Sequence, residues 1–428
     1  MLVSIMLIAT ACDNDLDQFP SNVAAANSLT DFAGVLNAAY FYQHASATPL
    51  AVMGDFRADN AFMFEPPFDD FDKFDANLPS MDDQFFGPFY TGMYRSILSA
   101  NNVIENSQDA TEVGEARFLR GLSYFKLVKV FGDVTINLVS EPDISDEASL
   151  ARRSASEVYS SVIIPDFQAA IEALDVSINN GRASRLAAQG MLGKAYAQMG
   201  DYSNAATQLG AVVSGADAAG IMLLENFGEI FGEANDLNAE IIYATQISSS
   251  IADEYGFSEF WSWSGGLDTK SLEPLDPDLV AAFDASPGDL RAAVTIDTSI
   301  MASPKFPQTN GPDHDWIELR LGDVILLYAE ALNENGNTTA ALTELNKIRT
   351  RAGLSASTAT SQADVRQAIL DERRLELAFE GQRWFDLVRT GTVNAEMGQT
   401  VDANYHLFPI PVSEILSSFG VITQNAGY

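Results

Sequence analysis

The sequence predicts a mainly α protein: a scaffold of paired, tetratricopeptide-repeat-like helices interrupted by an irregular, loop-rich lobe. Three observations carry this reading. Residues 184–216 and 319–354 place small and aromatic residues at matching intervals around a turn. Residues 369–389 combine helically spaced apolar side chains with dense opposite charges. Residues 54–90 and 217–316 are instead rich in Asp, Pro, Gly, Ser and aromatics, the composition of long loops with short strands or helices.

The chain opens on an apolar run, MLVSIMLIATA, with small residues just before the only cysteine, Cys12. A single cysteine rules out an intrachain disulfide. The 11-residue run is too short to span a bilayer. It resembles the end of a bacterial lipoprotein signal in which Cys12 is lipidated, although no Lys or Arg precedes it. A buried N-terminal strand with an incidental cysteine is the alternative. Asp13–Pro20 is acidic and reads as a tether. The expected division is signal 1–11, lipid-anchored tether 12–24 and one folded domain 25–428. Within that domain, helical repeats fill about 25–216 and 317–392, the irregular lobe 217–316, and a C-terminal segment 393–428.

Gly114–Val130 reads as a helix ending at Phe131-Gly132-Asp133-Val134. Ala155–Leu174 is amphipathic, with Val158, Val162, Ile163, Phe167 and Ile171 on one side and Pro165 as a kink or boundary. In 184–216, Leu192, Gly193, Tyr196, Gly200, Tyr202 and Ala205 fall at tetratricopeptide spacing, and Gly200-Asp201 supplies the turn. Tyr328, Ala329, Ala331, Gly336, Ala341 and Leu345 repeat the pattern, with Asn335-Gly336 as the turn and 317–332 as a mostly buried first helix. In 369–389, Arg373 or Arg374 can reach Glu376 or Glu380 along one helix, while Glu372 and Glu376 repel. A solvated charged face is the plain reading of that stretch.

With 24 basic and 59 acidic residues the formal charge is −35. That argues against nucleic acid and other polyanions, whose binding relies on Lys and Arg. An apolar fraction of 47% is ample for a core. There is no G-x-S-x-G elbow, and Gly193-Lys194 lacks the glycine and hydroxyl residue of a P-loop. His44, His314 and His406 are far apart, and no zinc spacing exists. Asp69-Asp70-Phe71-Asp72 lacks the glycine and closing glutamate of an EF-hand. No cofactor, metal or catalytic residue is expected.

The motifs Glu372-Arg373-Arg374, Glu376-Leu377, Phe379-Glu380-Gly381, Arg383, Asp386-Leu387 and Arg389 resemble the C-terminal signature of the SusD/RagB family, E-R-R-x-E-L-x-F-E-G-x-R-x-x-D-L-x-R. Gly114–Val134, Leu345–Leu354 and Leu407–Ile415 are similar to further family blocks. The resemblance implies an outer-membrane lipoprotein, exposed at the cell surface, that binds nutrients, usually glycans. Such proteins sit as lids over a SusC-like TonB-dependent transporter, and the signature is structural in them.

Ligand contacts are expected in the irregular segments. Glu254–Gly266 holds Tyr255, Phe260, Trp261 and Trp263. Flat aromatic faces stack on the C–H surfaces of sugar rings at little rotamer cost. If the segment is extended, Trp261 and Trp263 project on the same side; as the alternative, both are lobe core. Trp316 can go either way, and Trp384 reads as core. The resemblance adds Asp55, Arg57, Asp59, Asn60 and Phe64, in a segment that often lines the family's binding face. The reading is a non-catalytic glycan-binding lipoprotein for a neutral oligo- or polysaccharide, such as the β-glucan laminarin. Peptide or glycoprotein cargo, a surface glycosidase and a scaffold for protein partners remain its rivals.

Overall fold

The computed structural model describes residues 31–143, 146–177, 181–247, 257–262, 274–306 and 314–428. Cys12 with its flanking run and tether, Tyr255 and Trp263 lie outside them. Helices α1 (Ala33–Tyr42) and α2 (Ala47–Asp55) lead to α3 (Gly87–Asn106) and α4 (Ala110–Phe131). Helix α4 starts where Asp109, in extended conformation, accepts the Thr111 and Glu112 amides, satisfying donors that a helix end leaves open.

The amphipathic stretch from Ala155 is helical but not uniform. A wide π-turn, Tyr159–Ile163, separates Ala155–Val158 from α5 (Ile164–Ala173). Pro165 stands in the first turn of α5, where its missing N–H costs nothing. It therefore marks a boundary, and the irregularity falls on the turn before it. Val158, Val162, Ile163 and Phe167 are buried on the expected face.

Both repeat-like stretches form helix pairs: α6 (Arg185–Gln198) with α7 (Tyr202–Gly215), and, further on, α9 (Leu321–Glu334) with α10 (Thr338–Arg351). Gly200 and Gly336 make the turns at φ 74° and 81°, a region L-residues avoid. A Cβ on Gly193 would lie 2.5 Å from the Leu209 side chain, so its small size sets the closeness of α6 and α7. The second pair begins later than its periodicity suggests. Residues 316–320 are a strand, β4 (Trp316–Arg320), after short β1 (Val134–Thr135), β2 (Arg152–Arg153) and β3 (Ile241–Thr245). Strands β3 and β4 are antiparallel and bulged, with Ile241 opposite Arg320 and Thr245 opposite Trp316. Extended backbone lets Glu318 reach Lys126 and Thr245, and lets Arg320 reach Glu240, Glu376 and Glu380. These buried pairings outweigh the helical period.

Neighbours stack in order: α3 on α4, α4 on α5, α5 on α6, α6 on α7, α7 on α9, and α9 on both α10 and α11 (Gln362–Leu377). Stacking of this kind buries a continuous core between successive pairs. The lobe shares that core. Helix α8 (Phe257–Ser262), which precedes α9 in the chain, packs on α2, and Phe56, Phe85, Trp261 and Leu279 join the same buried cluster. Among the described residues no helix is long and apolar enough to cross a membrane.

Candidate functional site

The charged signature is neither one helix nor a solvated face. Helix α11 begins at Ser361, whose hydroxyl accepts the Asp364 amide, and ends at Leu377. Phe379 and Gly381 then turn the chain at φ 66° and 67°, and α12 (Arg383–Thr390) follows. Phe379 in the left-handed region is strained. The turn survives because the Asp55 carboxylate accepts the Phe379 and Gly381 amides at 3.2 and 2.7 Å.

The expected pairing within the helix does not form; the partners come from elsewhere in the chain. Glu376 meets Arg291 and Arg320 at 3.0 and 2.6 Å and also pairs with Arg351. Arg320 grips Glu380 with two parallel N–H donors at 2.8 Å, and Lys305 adds a third contact. Arg373 joins Asp323 and Asp386, Arg383 joins Asp59 and Glu396, and Arg389 joins Glu330 and Asp386. Burial alone would raise the Glu376 pKa, but Arg351, Arg320 and Arg291 hold it well below the carboxylate range. Planar guanidinium forks suit such buried bidentate contacts. The segment ties the last helices to the scaffold and the lobe, as its resemblance implies.

The same arrangement corrects the first-loop expectation. Asp55, Arg57, Asp59 and Asn60 are all buried and hold the fold together. Asp59 accepts both Arg383 donors at 2.7 and 2.8 Å. Asn60 accepts from Arg374 and donates to Asp55. Arg57 donates to the Phe71 and Tyr405 carbonyls and the Tyr428 hydroxyl, under the ring of Phe74 at 4.5 Å. None of the four turns a polar group to solvent. Sequence reasoning recognised their chemistry but not their partner, because the signature lies more than 300 positions away.

The aromatic residues divide likewise. Residues 257–262 are helical, so two-residue alternation does not operate up to Ser262. Trp261 is fully buried, stacked on Phe56 at 4.8 Å and 14° and packed on Phe379. Phe260 is buried among Phe56, Phe68 and Phe85. Trp316 is buried edge-on to Phe257 and against Gly381. These three rings offer no face to a ligand: the core has claimed them. Trp384 is core, as its place in the signature suggests.

Phe64 is different. It is 54% exposed, beside Phe62 with ring centroids 6.4 Å apart. Ala61 bridges Leu275, Phe62 donates its amide to the Pro274 carbonyl, and the Asp276 amide bonds Asn60. The Phe62–Phe64 loop is thus tied to Pro274–Asp276, which follows directly on 263–273, the segment that carries Trp263. Asp72 and Asp276 lie near enough to repel. Burial first, then Asp276, pushes the Asp72 carboxyl up to about 7, against the pull of Arg57. Exposed aromatic surface beside half-buried carboxyls is a surface that can stack on a sugar and accept from its hydroxyls. Asp276 also caps the helix Pro277–Asp284, its carboxylate accepting the Asp278 amide at 2.7 Å. A second concavity of about 500 Å³, chiefly apolar, is lined by Tyr90, Tyr94, Leu98, Leu138, Val139 and Ile422 and shares no residue with this face.

A model described as SusD family matches residues 296–406. Another, described as starch-binding associating with outer membrane, matches residues 12–197. The chain belongs to the SusD/RagB family. SusD-like protein P2 of Formosa agariphila is 26% identical over 100% of this chain and 98% of its own length. A SusD superfamily protein of Bacteroides thetaiotaomicron superposes with TM-score 0.78 at 23% identity, over 92% of this chain and 99% of that one. A laminarin binding SusD-like protein does so with TM-score 0.75 at 23% identity, over 94% and 99%. The mainly helical architecture is therefore that of SusD-superfamily structures.

Proposed function

We propose that this SusD-like chain is a non-catalytic glycan-binding lipoprotein. It is anchored through Cys12 at the outer surface of the outer membrane. It captures a neutral oligo- or polysaccharide, a β-glucan such as laminarin, and delivers it to a SusC-like TonB-dependent transporter. The observation that carries the reading is the family match over residues 12–197, whose description joins starch binding to the outer membrane. The described face at Phe62–Phe64 and Asp276 supports it, with Trp263 and Tyr255 as proposed further contacts. A chain at −35 suits an uncharged ligand. The carboxylates of the signature are engaged by guanidinium groups, which suits a scaffold that breaks no bond.

The test is electrophoresis through native gels containing laminarin, starch or other neutral polysaccharides. Retardation in at least one gel, reduced by Phe64→Ala and by Trp263→Ala, is expected. Unchanged mobility in every gel overturns the proposal, and steady release of reducing ends from the retarding glycan overturns its non-catalytic part.

A further inference from the structure

Between α4, α6 and β4 lies a small, partly open cavity with room for roughly one small particle. Lys126, Lys129, Lys194, Glu318, Gln382 and Trp316 line it. An ammonium carries three donors and no acceptor. Lys126 uses all of its own, on Gln43 at 3.0 Å, Ser46 at 2.8 Å and Glu318. Lys194 uses one, on Asp323 at 2.6 Å. Lys129 has no hydrogen bond or ion pair among the described residues, and its ammonium rests 4.2 Å from the Phe385 ring centre. The Gln382 carboxamide has no partner among them either.

Among the described residues, the ion pairs of the cavity wall and those that run outward from Lys194 form a closed set. Lys126 meets Glu318, Lys194 and Arg373 share Asp323, and Arg373 and Arg389 share Asp386, with Glu330 on Arg389. With Lys129 added, five cations face four carboxylates, one positive charge in excess. Lys129 is half-buried, and a charge that has lost part of its water without gaining a partner is costly. We infer that this cavity is a binding site for a small monovalent anion of the halide class, held by the ammonium groups of Lys129 and Lys194. Such an ion accepts several N–H donors at once and brings the set to neutrality. A neutral water does only the first. The cavity is too small for phosphate or a sugar.

The charged groups facing Lys129 agree. Burial, then Lys194 and Lys126, push its ammonium down to about 7, with Glu318 and Asp386 opposing. A bound anion would keep it protonated at neutral pH.

The decisive measurement is diffraction at the bromine edge from wild-type crystals soaked in sodium bromide at about pH 6, where the Lys129 ammonium is largely charged. An anomalous peak inside the cavity, within hydrogen-bond distance of the Lys129 and Lys194 ammonium groups, is expected. An empty cavity, with bromide only on surface sites, overturns the inference. In solution, replacing sodium gluconate by sodium chloride at equal ionic strength should raise the wild-type Tm by about 2 °C, as binding to the folded state alone requires. Lys129→Met should lose that increment. An equal Tm for the wild type in both salts, or the same increment in the variant, refutes it.

Discussion

Arg320→Met is the sharpest test of the buried network. The guanidinium is fully buried and donates to Glu240, Glu376 and Glu380. Methionine fills similar volume but leaves three carboxylates short of a partner. They are not stranded equally: Glu376 keeps Arg291 and Arg351, Glu240 keeps Arg351, and Glu380 keeps Lys305. Breaking a buried pair by removing one partner typically costs about 3–5 kcal/mol. The remaining cations place this case near about 3 kcal/mol at neutral pH. Acid should narrow the gap. Glu376 and Glu380 both titrate below the ordinary glutamate value of 4.5 in the folded state. Their contribution is complete above that value and is lost as pH falls through the depressed folded values. The variant, with weaker depression, has less to lose. Urea unfolding at neutral pH and at a series of lower pH values measures both effects. A neutral-pH loss below about 1 kcal/mol, or a gap that widens on acidification, would refute the reasoning.

Three further outcomes follow from the geometry. Gly54→Ala puts a Cβ 2.2 Å from the Gly381 backbone, so it should lower the melting temperature far more than an ordinary Gly→Ala change in a helix; a neutral or stabilising result in thermal melts would disprove the close approach of α2 to the signature turn. Trp261→Ala should cost about 3–5 kcal/mol in denaturant, whereas Phe64→Ala should stay within about 0.5 kcal/mol while weakening glycan retardation; the reverse assignment would exchange core and surface. The Asp72 carboxyl, raised in the folded state from 3.8 to about 7, makes stability fall as pH rises through that interval, so Asp72→Asn should flatten the decline in Tm, and identical pH profiles would dismiss the burial argument.

Helix pairs were legible because Gly193, Gly200 and Gly336 announce close approach and turns locally. The signature was legible as a pattern and misleading as a geometry: Arg373, Glu376 and Arg383 look like partners along one helix, yet the chain breaks at Phe379 and sends each to a different element. The same gap hid the role of Asp55 and Asp59, whose ligands are chosen by tertiary packing. Trp261 carried a genuine ambiguity, since an aromatic residue in a Gly- and Ser-rich segment suits a ligand platform and a lobe core equally. Only the neighbouring Phe56 and Phe379 rings decide it.

The contact between Asp55 and the Phe379 amide joins positions 324 residues apart. During synthesis, the N-terminal third must therefore wait for almost the whole polypeptide before its carboxylates find their cations. A nascent chain halted before Gly381 would carry Asp59 with its bidentate clamp missing, and Gly54 would lack the Gly381 backbone it packs against. A stop codon shortly before Gly381 should thus be as damaging as an early one. The unfinished lobe, rather than the finished helical stack, is the state present while the chain is incomplete.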